Sequence, residues 1–178
     1  SFFRDREINI FTVRAGNVIG GGDFSKDRIF SDIVNSISNE KPLYLRNPTA
    51  TRPWQHVIEP VYGYLLLVEY YYNNITNKFS SYNFGPELTN VKSVMDVAKA
   101  AVSAWGSMIK INLDNSKNFH EAQTLGLDST KVKLAIGWEP KWGFEQTLSK
   151  TVDWYKARLG GYDPYELCLQ NLKSYGDQ

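Results

Sequence analysis

Short apolar segments with the composition of β-strands alternate along this chain with longer segments of helical periodicity. Residues 8–13 are rich in β-branched and apolar side chains, which predicts a buried strand. From Asp27 onward, apolar residues recur at the spacing of one helix face, and residues 43–45 then predict a short strand. Strands that alternate with helices imply an α/β fold in which at least some strands pair in parallel.

The rest of the chain continues this alternation. Glu59 and Pro60 open a helix that runs to about Tyr72 and is apolar on nearly every side, so we expect it beneath a sheet. The further predicted elements are a strand at 82–84, a helix capped by Thr89 or Asn90, edge strands at 109–111 and 124–127, a helix from Asp128 to Gly137, and a last helix from Phe144 to Leu159.

The net charge and the number of cysteines exclude some classes of function for this chain. The net charge is +1, so no long-range field draws the chain to nucleic acid or to a membrane, and the segment from Val61 to Tyr72 is too short to span a bilayer. The single cysteine, Cys168, cannot form an intrachain disulfide, which together with the absence of a signal peptide favours the cytoplasm. A start at Ser1 suggests a piece of a longer chain.

A glycine cluster follows the first predicted strand. Gly16 and residues 20–22 stand between that strand and a helix, as in a dinucleotide-binding turn. However, the helix begins only near Asp27, and Arg46 stands where an acidic residue would hold a ribose. The cluster therefore favours a flexible turn beside a ligand over a cofactor fingerprint.

The run from Thr51 to Val57 contains the strongest candidate for anion binding. Arg52 lies between a threonine and a proline-tryptophan pair, and a guanidinium can grip two phosphate oxygens at once. The alternative is a surface ion pair. His56 in the same run fits a structural histidine, and His120-Glu121 lacks the second histidine that a metal motif requires, so no metal site is expected.

The motifs taken together resemble the CDP-glucose 4,6-dehydratases, a family of the extended short-chain dehydrogenase/reductase superfamily. They are, in chain order, residues 14–23, 27–29, 46–48 and 52–60, then 83–86, 120–122, 127–128 and 137–140. The resemblance covers essentially the whole chain, and the Arg-Pro-Trp-Gln-His run is its most specific part.

This resemblance implies the C-terminal portion of a two-lobed α/β enzyme. Residues 1–24 and 56–86 would be elements of a Rossmann lobe that holds NAD, and residues 25–55 and 87–178 would form the sugar-nucleotide lobe. The implied reaction converts CDP-glucose to CDP-4-dehydro-6-deoxyglucose by internal redox and loss of water. The family's glycine-rich loop, its Tyr-x-x-x-Lys pair and its acidic residues precede the matching segment, so no catalytic residue is expected here.

Binding residues follow from the resemblance position by position. It implies that Asn17 and Arg52 contact the diphosphate, and that Ala15 and Gly16 lie with Asn17 near the nicotinamide. The remaining implied substrate contacts are Arg28, Ile29, Tyr44, His120 and Glu121. Core packing is the alternative role for Tyr44.

Two other readings of the chain remain open. One is an epimerase or dehydratase of another nucleotide sugar, and the other is a non-catalytic nucleotide-sugar-binding fragment. The resemblance implies an N-terminal Rossmann half as partner and a homodimer at full length. The 178-residue chain alone is expected to be inactive and to self-associate through exposed apolar faces.

Overall fold

The computed structural model describes residues 9–74, 79–87, 91–114 and 122–177. Within these ranges the strands are β1 (Ile10–Ala15), β2 (Asn17–Ile19), β3 (Leu43–Leu45), β4 (Thr51–Arg52), β5 (Trp54–His56), β6 (Phe79–Phe84), β7 (Lys92–Ser93) and β8 (Ile111–Leu113). The helices are α1 (Ile29–Ser38), α2 (Ile58–Asn73), α3 (Val94–Trp105), α4 (Thr130–Ile136), α5 (Phe144–Leu159) and α6 (Pro164–Gly176).

The described strands pair in twos, and most of the pairs are parallel. β1 runs parallel to β6, β2 to β5 and β3 to β8, whereas β4 and β7 are antiparallel. Long crossovers separate the partners, so that Ile10 pairs with Phe79 and Leu43 with Ile111. The mixed α/β fold with parallel pairing, predicted from the sequence, is confirmed.

Two apolar clusters hold these elements together. The larger one joins α1, α3 and α5 to β2, β3 and β5, with Ile33, Val97 and Tyr155 fully buried. The smaller one lies where α2 and α4 cover the β1–β6 pair. Gly63 allows α2 to approach closely, because a Cβ atom there would lie 2.4 Å from Cε1 of Phe84.

The helix after Glu59 is less buried than its composition predicts. It lies over the β1–β6 pair with Leu67 and Tyr71 buried, but its opposite face is exposed to solvent. Since α2 packs against the sheet on one side alone, its all-round apolar character does not produce all-round burial. The exposed apolar residues of this face are Val61, Leu65, Val68 and Tyr72.

Several strands begin and end at residues other than those predicted. The strand expected at 8–13 is observed at 10–15, and the one expected at 109–111 is observed at 111–113. The strand expected at 124–127 is wrong: Thr124 forms only an isolated bridge to Thr51, since these residues meet the sheet edge at a single point. Thr89 and Asn90 lie outside the described residues, and Ser93 caps α3 in a capping box with Asp96.

The C-terminal region contains one helix more than predicted. The helix predicted from Asp128 to Gly137 is observed as α4 at Thr130–Ile136, and the one predicted from Phe144 to Leu159 as α5 with the same bounds. Gly137 ends α4 in the left-handed conformation. The additional helix, α6, begins at Pro164 with Asp163 accepting hydrogen bonds from two amides of its first turn. None of the described helices is both long and apolar enough to cross a lipid bilayer.

Candidate functional site

A cavity of about 1020 Å³ lies beside the ends of β1 and β3 and along β2. The loop between β2 and α1, the first turn of α1 and the segment at 123–125 complete its lining. Ligands of α/β proteins bind beyond the carboxyl ends of parallel strands, where backbone groups and loop side chains converge. β1 and β3 both end at this cavity, which makes it the candidate functional site.

Arg52 contributes a permanent positive charge to the cavity. Arg52 is only 5% exposed, and its Nη1 donates a hydrogen bond to the carbonyl oxygen of Thr51 at 2.8 Å. The carbonyl oxygen of Gln123 lies 3.5 Å from the same nitrogen. These contacts fix the direction of the guanidinium, whose planar group is suited to paired phosphate oxygens.

Asn17 lines the cavity near Arg52. It is the first residue of β2 and pairs in register with Trp54, two residues after Arg52. Trp54 is in turn held by a hydrogen bond from its indole nitrogen to the carbonyl oxygen of Lys92. The amide at the start of β2 and the guanidinium at the end of β4 thus line the same cavity.

The other predicted binding residues divide into two groups. Ala15, Gly16, Arg28, Ile29 and Tyr44 all line the same cavity as Asn17 and Arg52. Tyr44 is 58% exposed, which disfavours the core-packing alternative. His120 and Glu121 lie outside the described residues.

Some cavity residues were not singled out as binding residues from the sequence. Asp27 and Arg46 form an ion pair, Asp32 lies in the first turn of α1, and Gln123 and Leu125 come from a distant loop. The sequence did contain a signal for Asp27 and Arg46 as cavity residues, because both belong to the motifs that carry the family resemblance. Nothing local in the sequence indicates that residues 123–125 reach a cavity built by residues 15–57.

The glycine cluster has a packing explanation. A Cβ atom at Gly21 would lie 1.9 Å from Cδ2 of Trp154, and one at Gly16 would lie 2.5 Å from the carbonyl oxygen of Pro53. α1 begins at Ile29, seven positions past Gly22, so these glycines do not open a helix. Among the described residues, no group of three or more His, Cys, Asp or Glu side chains could hold a metal ion.

His56 is buried beside the cavity wall and behaves as a structural group. Its Nδ1 accepts a hydrogen bond from the backbone nitrogen of Ile58 at 3.3 Å, and its ring meets Trp142 edge-on at 4.9 Å. Burial, with a smaller contribution from the charge of Lys150, lowers the pKa of His56 to about 4. The ring is therefore neutral at physiological pH.

This buried histidine should make the fold sensitive to mild acid. Below pH 6.5 the unfolded chain takes up a proton at His56 that the folded chain refuses until about pH 4. We expect the free energy of unfolding to fall by about 2 kcal/mol between pH 6.5 and pH 5 from this group alone. Urea unfolding at a series of pH values measures the loss.

His56→Gln should remove this pH-dependent fall in the free energy of unfolding, whereas the matched variant His120→Gln should retain it. Equal pH slopes in the wild type and His56→Gln would contradict the prediction. The imidazole signal of His56, assigned by its absence in the glutamine variant, provides a second measurement. A midpoint near 6.5 in place of about 4 would also contradict it.

The chain is similar in sequence to curated proteins of about twice its length. No protein-family model matches the chain. It is 39% identical over 173 residues to CDP-glucose 4,6-dehydratase of Salmonella typhimurium, which covers 97% of this chain and 48% of that protein. It is 28% identical over 153 residues to dTDP-4-dehydro-6-deoxy-D-allose reductase of Streptomyces bikiniensis, covering 83% and 44%. The chain therefore spans about half the length of these relatives, and it matches the C-terminal part of the Salmonella enzyme.

Solved structures show the same correspondence. UDP-glucuronic acid 4-epimerase of Bacillus cereus superposes with a TM-score of 0.73 at 20% identity, covering 88% of this chain and 48% of that one. dTDP-glucose 4,6-dehydratase of Bacillus anthracis superposes with a TM-score of 0.67 at 22% identity, covering 83% and 44%. The chain has the fold of the C-terminal part of an extended short-chain dehydrogenase/reductase.

The extended short-chain dehydrogenase/reductase fold accounts for the arrangement around β1. β1 and β6 are parallel neighbours with α2 packed on them, which is the unit from which Rossmann sheets are built. The end of β1 leads at once into Asn17 and the cavity. The candidate site thus begins where this strand pair ends.

Proposed function

We propose that this chain is the sugar-nucleotide-binding part of a CDP-glucose 4,6-dehydratase. The observation that carries the proposal is that Asn17 at the start of β2 and Arg52 at the end of β4, the two residues assigned to the diphosphate, line one cavity. The 39% identity to the Salmonella dehydratase over nearly the whole chain supports the same substrate. Arg28, Ile29 and Tyr44, on the same cavity, are proposed to contact the remainder of the nucleotide.

The proposed reaction is a redox-neutral loss of water. When bound, NAD would accept the hydride from C4 of the glucose ring and return it to C6. The C4 hydroxyl loses its proton as its carbon loses the hydride, which makes C4 a ketone. The C5 proton and the C6 hydroxyl then leave as water, and C5 regains one proton as the hydride reaches C6, so that the net change is the loss of one water. The residues of this chain bind and orient the nucleotide end of the substrate, so that the sugar extends from Arg52 and Asn17 toward the end of β1.

The described residues contribute little to holding NAD. The glycines that suggested a cradle are explained by Pro53 and Trp154, and no helix begins directly after them. Ala15, Gly16 and Asn17 at the end of β1 are the proposed contacts near the nicotinamide. NAD is therefore proposed to bind mainly to an N-terminal Rossmann half of the same protein that precedes this chain, to which residues 1–24 and 56–86 would add a few elements.

The surface of α2 supports such a partner. Its face away from the β1–β6 pair carries four large exposed apolar side chains, and β1 pairs only with β6 among the described strands. An open sheet edge and an exposed apolar helix face are each suited to packing against further strands and helices of a Rossmann lobe. A homodimer at full length and a cytoplasmic location complete the proposal.

Calorimetric titration of the 178-residue chain with CDP-glucose tests the proposal. We expect saturable binding of CDP-glucose and much weaker binding of glucose 1-phosphate, which lacks the diphosphate and the base. The chain alone should leave CDP-glucose unchanged, whereas the same chain preceded by an NAD-binding half should yield a product lighter by one water. Absence of binding, or turnover by the chain alone, would contradict the proposal.

A further inference from the structure

The loop between β2 and α1 forms one wall of the cavity and is held in place from α5. Gly20, Gly21 and Asp23 of this loop line the cavity, whereas Tyr155 of α5, which is fully buried, does not. The hydroxyl of Tyr155 donates a hydrogen bond to the carbonyl oxygen of Asp23 at 2.7 Å and accepts one from the backbone nitrogen of Asp23 at 3.1 Å. One side chain therefore satisfies both backbone groups of a cavity-lining residue 132 positions away.

The Tyr155 hydroxyl is itself fixed in position by packing. The ring of Tyr155 is nearly parallel to that of Phe30 in α1, with centroids 6.3 Å apart, and it meets Phe24 of the loop edge-on at 5.6 Å. Burial raises the pKa of Tyr155 to about 12, so the hydroxyl keeps the proton that it donates. The backbone of Asp23 thus meets a donor and an acceptor whose direction the surrounding rings determine.

Trp154, the residue before Tyr155, holds the same loop at a second point. Its indole lies so close to the backbone of Gly21 that a Cβ atom there would be 1.9 Å from Cδ2. Gly22 has a φ of +93°, a left-handed conformation that favours glycine, and Oδ1 of Asp23 accepts a hydrogen bond from the backbone nitrogen of Ser25 at 2.9 Å. The loop is therefore a tight turn that is attached to α5 at two points.

The attachment of the loop bears on ligand binding. A surface loop without such contacts samples many backbone conformations, and only the fraction with the cavity-lining shape can bind a ligand. The apparent affinity falls in proportion to that fraction. Phenylalanine at position 155 would fill the apolar cluster with the same ring, so the Tyr155 hydroxyl adds the attachment of the loop.

We propose that Tyr155 is a positioning residue that, together with Trp154, holds residues 20–23 in the conformation that accepts the nucleotide sugar. Tyr155 raises the affinity for that ligand without contacting it. This inference rests on the proposed function, because that function supplies the ligand.

Calorimetric titration with CDP-glucose compares the wild-type chain with Tyr155→Phe and with the matched control Tyr82→Phe. Tyr82 is buried in the smaller apolar cluster, does not line the cavity, and shares a hydrogen bond between its hydroxyl and that of Tyr71. Both variants lose one buried hydroxyl, so both should unfold at a lower temperature than the wild type. We expect Tyr155→Phe to bind CDP-glucose roughly tenfold more weakly and Tyr82→Phe to bind it as the wild type does.

Two further measurements examine the loop itself. Gly21→Ala should also weaken binding, because its Cβ atom would force the loop away from Trp154. In Tyr155→Phe the backbone amide of Asp23 should exchange its hydrogen faster than in the wild type, and saturating CDP-glucose should slow that exchange again.

The outcomes separate the inference from the function beneath it. Wild-type affinity in a folded Tyr155→Phe or Gly21→Ala chain would overturn the inference, as would an equal loss of affinity in Tyr155→Phe and Tyr82→Phe. Unchanged exchange of the Asp23 amide in Tyr155→Phe would overturn it too, and each of these results leaves the proposed function standing. Failure of the wild type to bind CDP-glucose would contradict the proposed function and the inference together.

Discussion

Replacing Arg52 with alanine should weaken CDP-glucose binding roughly 30- to 900-fold. The loss corresponds to about 2–4 kcal/mol, the range for charge-assisted hydrogen bonds to a phosphate in a partly desolvated site. Arg52 is nearly buried in the cavity wall, so bulk water does not screen its charge as it screens an exposed one. Calorimetric titration of the variant beside the wild type measures the effect.

Two further variants make this result interpretable. Arg52→Lys keeps the charge and loses the planar fork, so its affinity should fall between those of the wild type and Arg52→Ala. Arg158→Ala removes an exposed arginine near the end of α5, away from the cavity, and should bind as the wild type does. Because Arg52 also donates to the Thr51 carbonyl, thermal unfolding of each variant is measured in parallel. A folded Arg52→Ala chain with unchanged affinity would show that Arg52 is structural.

Replacing Glu59 with alanine should destabilise the fold by about 3–5 kcal/mol, because several buried donors would lose their acceptor. Glu59 is fully buried at the start of α2. Its carboxylate accepts hydrogen bonds from the backbone nitrogens of Lys141 and Trp142 and, at 2.7 Å, from the hydroxyl of Tyr175. This one side chain therefore joins α2, the loop before α5 and the end of α6. Chemical denaturation measures the change.

Two conservative variants separate this loss of stability into the contributions of individual hydrogen bonds. Tyr175→Phe removes a single hydrogen bond to Glu59 and should cost about 1 kcal/mol, while Glu59→Gln retains one acceptor oxygen and should fall between the two. A loss in Glu59→Ala no greater than that in Tyr175→Phe would contradict the prediction.

The stability that Glu59 contributes to the fold should depend on pH in one direction. Burial raises the pKa of Glu59 above its ordinary value of 4.5, and the hydrogen bonds it accepts offset this only in part. The folded chain therefore holds this proton more tightly than the unfolded chain. The stability of the wild type relative to Glu59→Gln should be greatest below pH 4.5 and should decline as the pH rises through the raised pKa.

Local sequence signals predicted those helices whose packing face or ends are marked by residues close by in the chain. α1 follows from one apolar face, and α4 from a left-handed glycine at its end. α6 was not predicted, although Asp163 and Pro164 are a strong start signal, because its apolar face is weak and most of its side chains are exposed.

Tertiary features were predicted less completely. The composition of α2 indicates apolar surface, but it does not say which side a neighbour covers. The placement of Asn17 and Arg52 on one cavity agrees with what their motifs imply, whereas their role in binding remains a prediction. Gln123 reaches Arg52 from more than seventy positions away, a contact that no local pattern can encode.

The register of the first strand pair constrains synthesis of the protein on the ribosome. β1 leaves the ribosome well before β6, because its first residue, Ile10, pairs with Phe79. At about 5–20 residues per second, the edge of β1 that β6 covers stays unpaired on the nascent chain for several seconds. During that interval this edge can pair with another extended segment nearby, so the nascent chain should be most exposed to aggregation before residue 84 has left the ribosome.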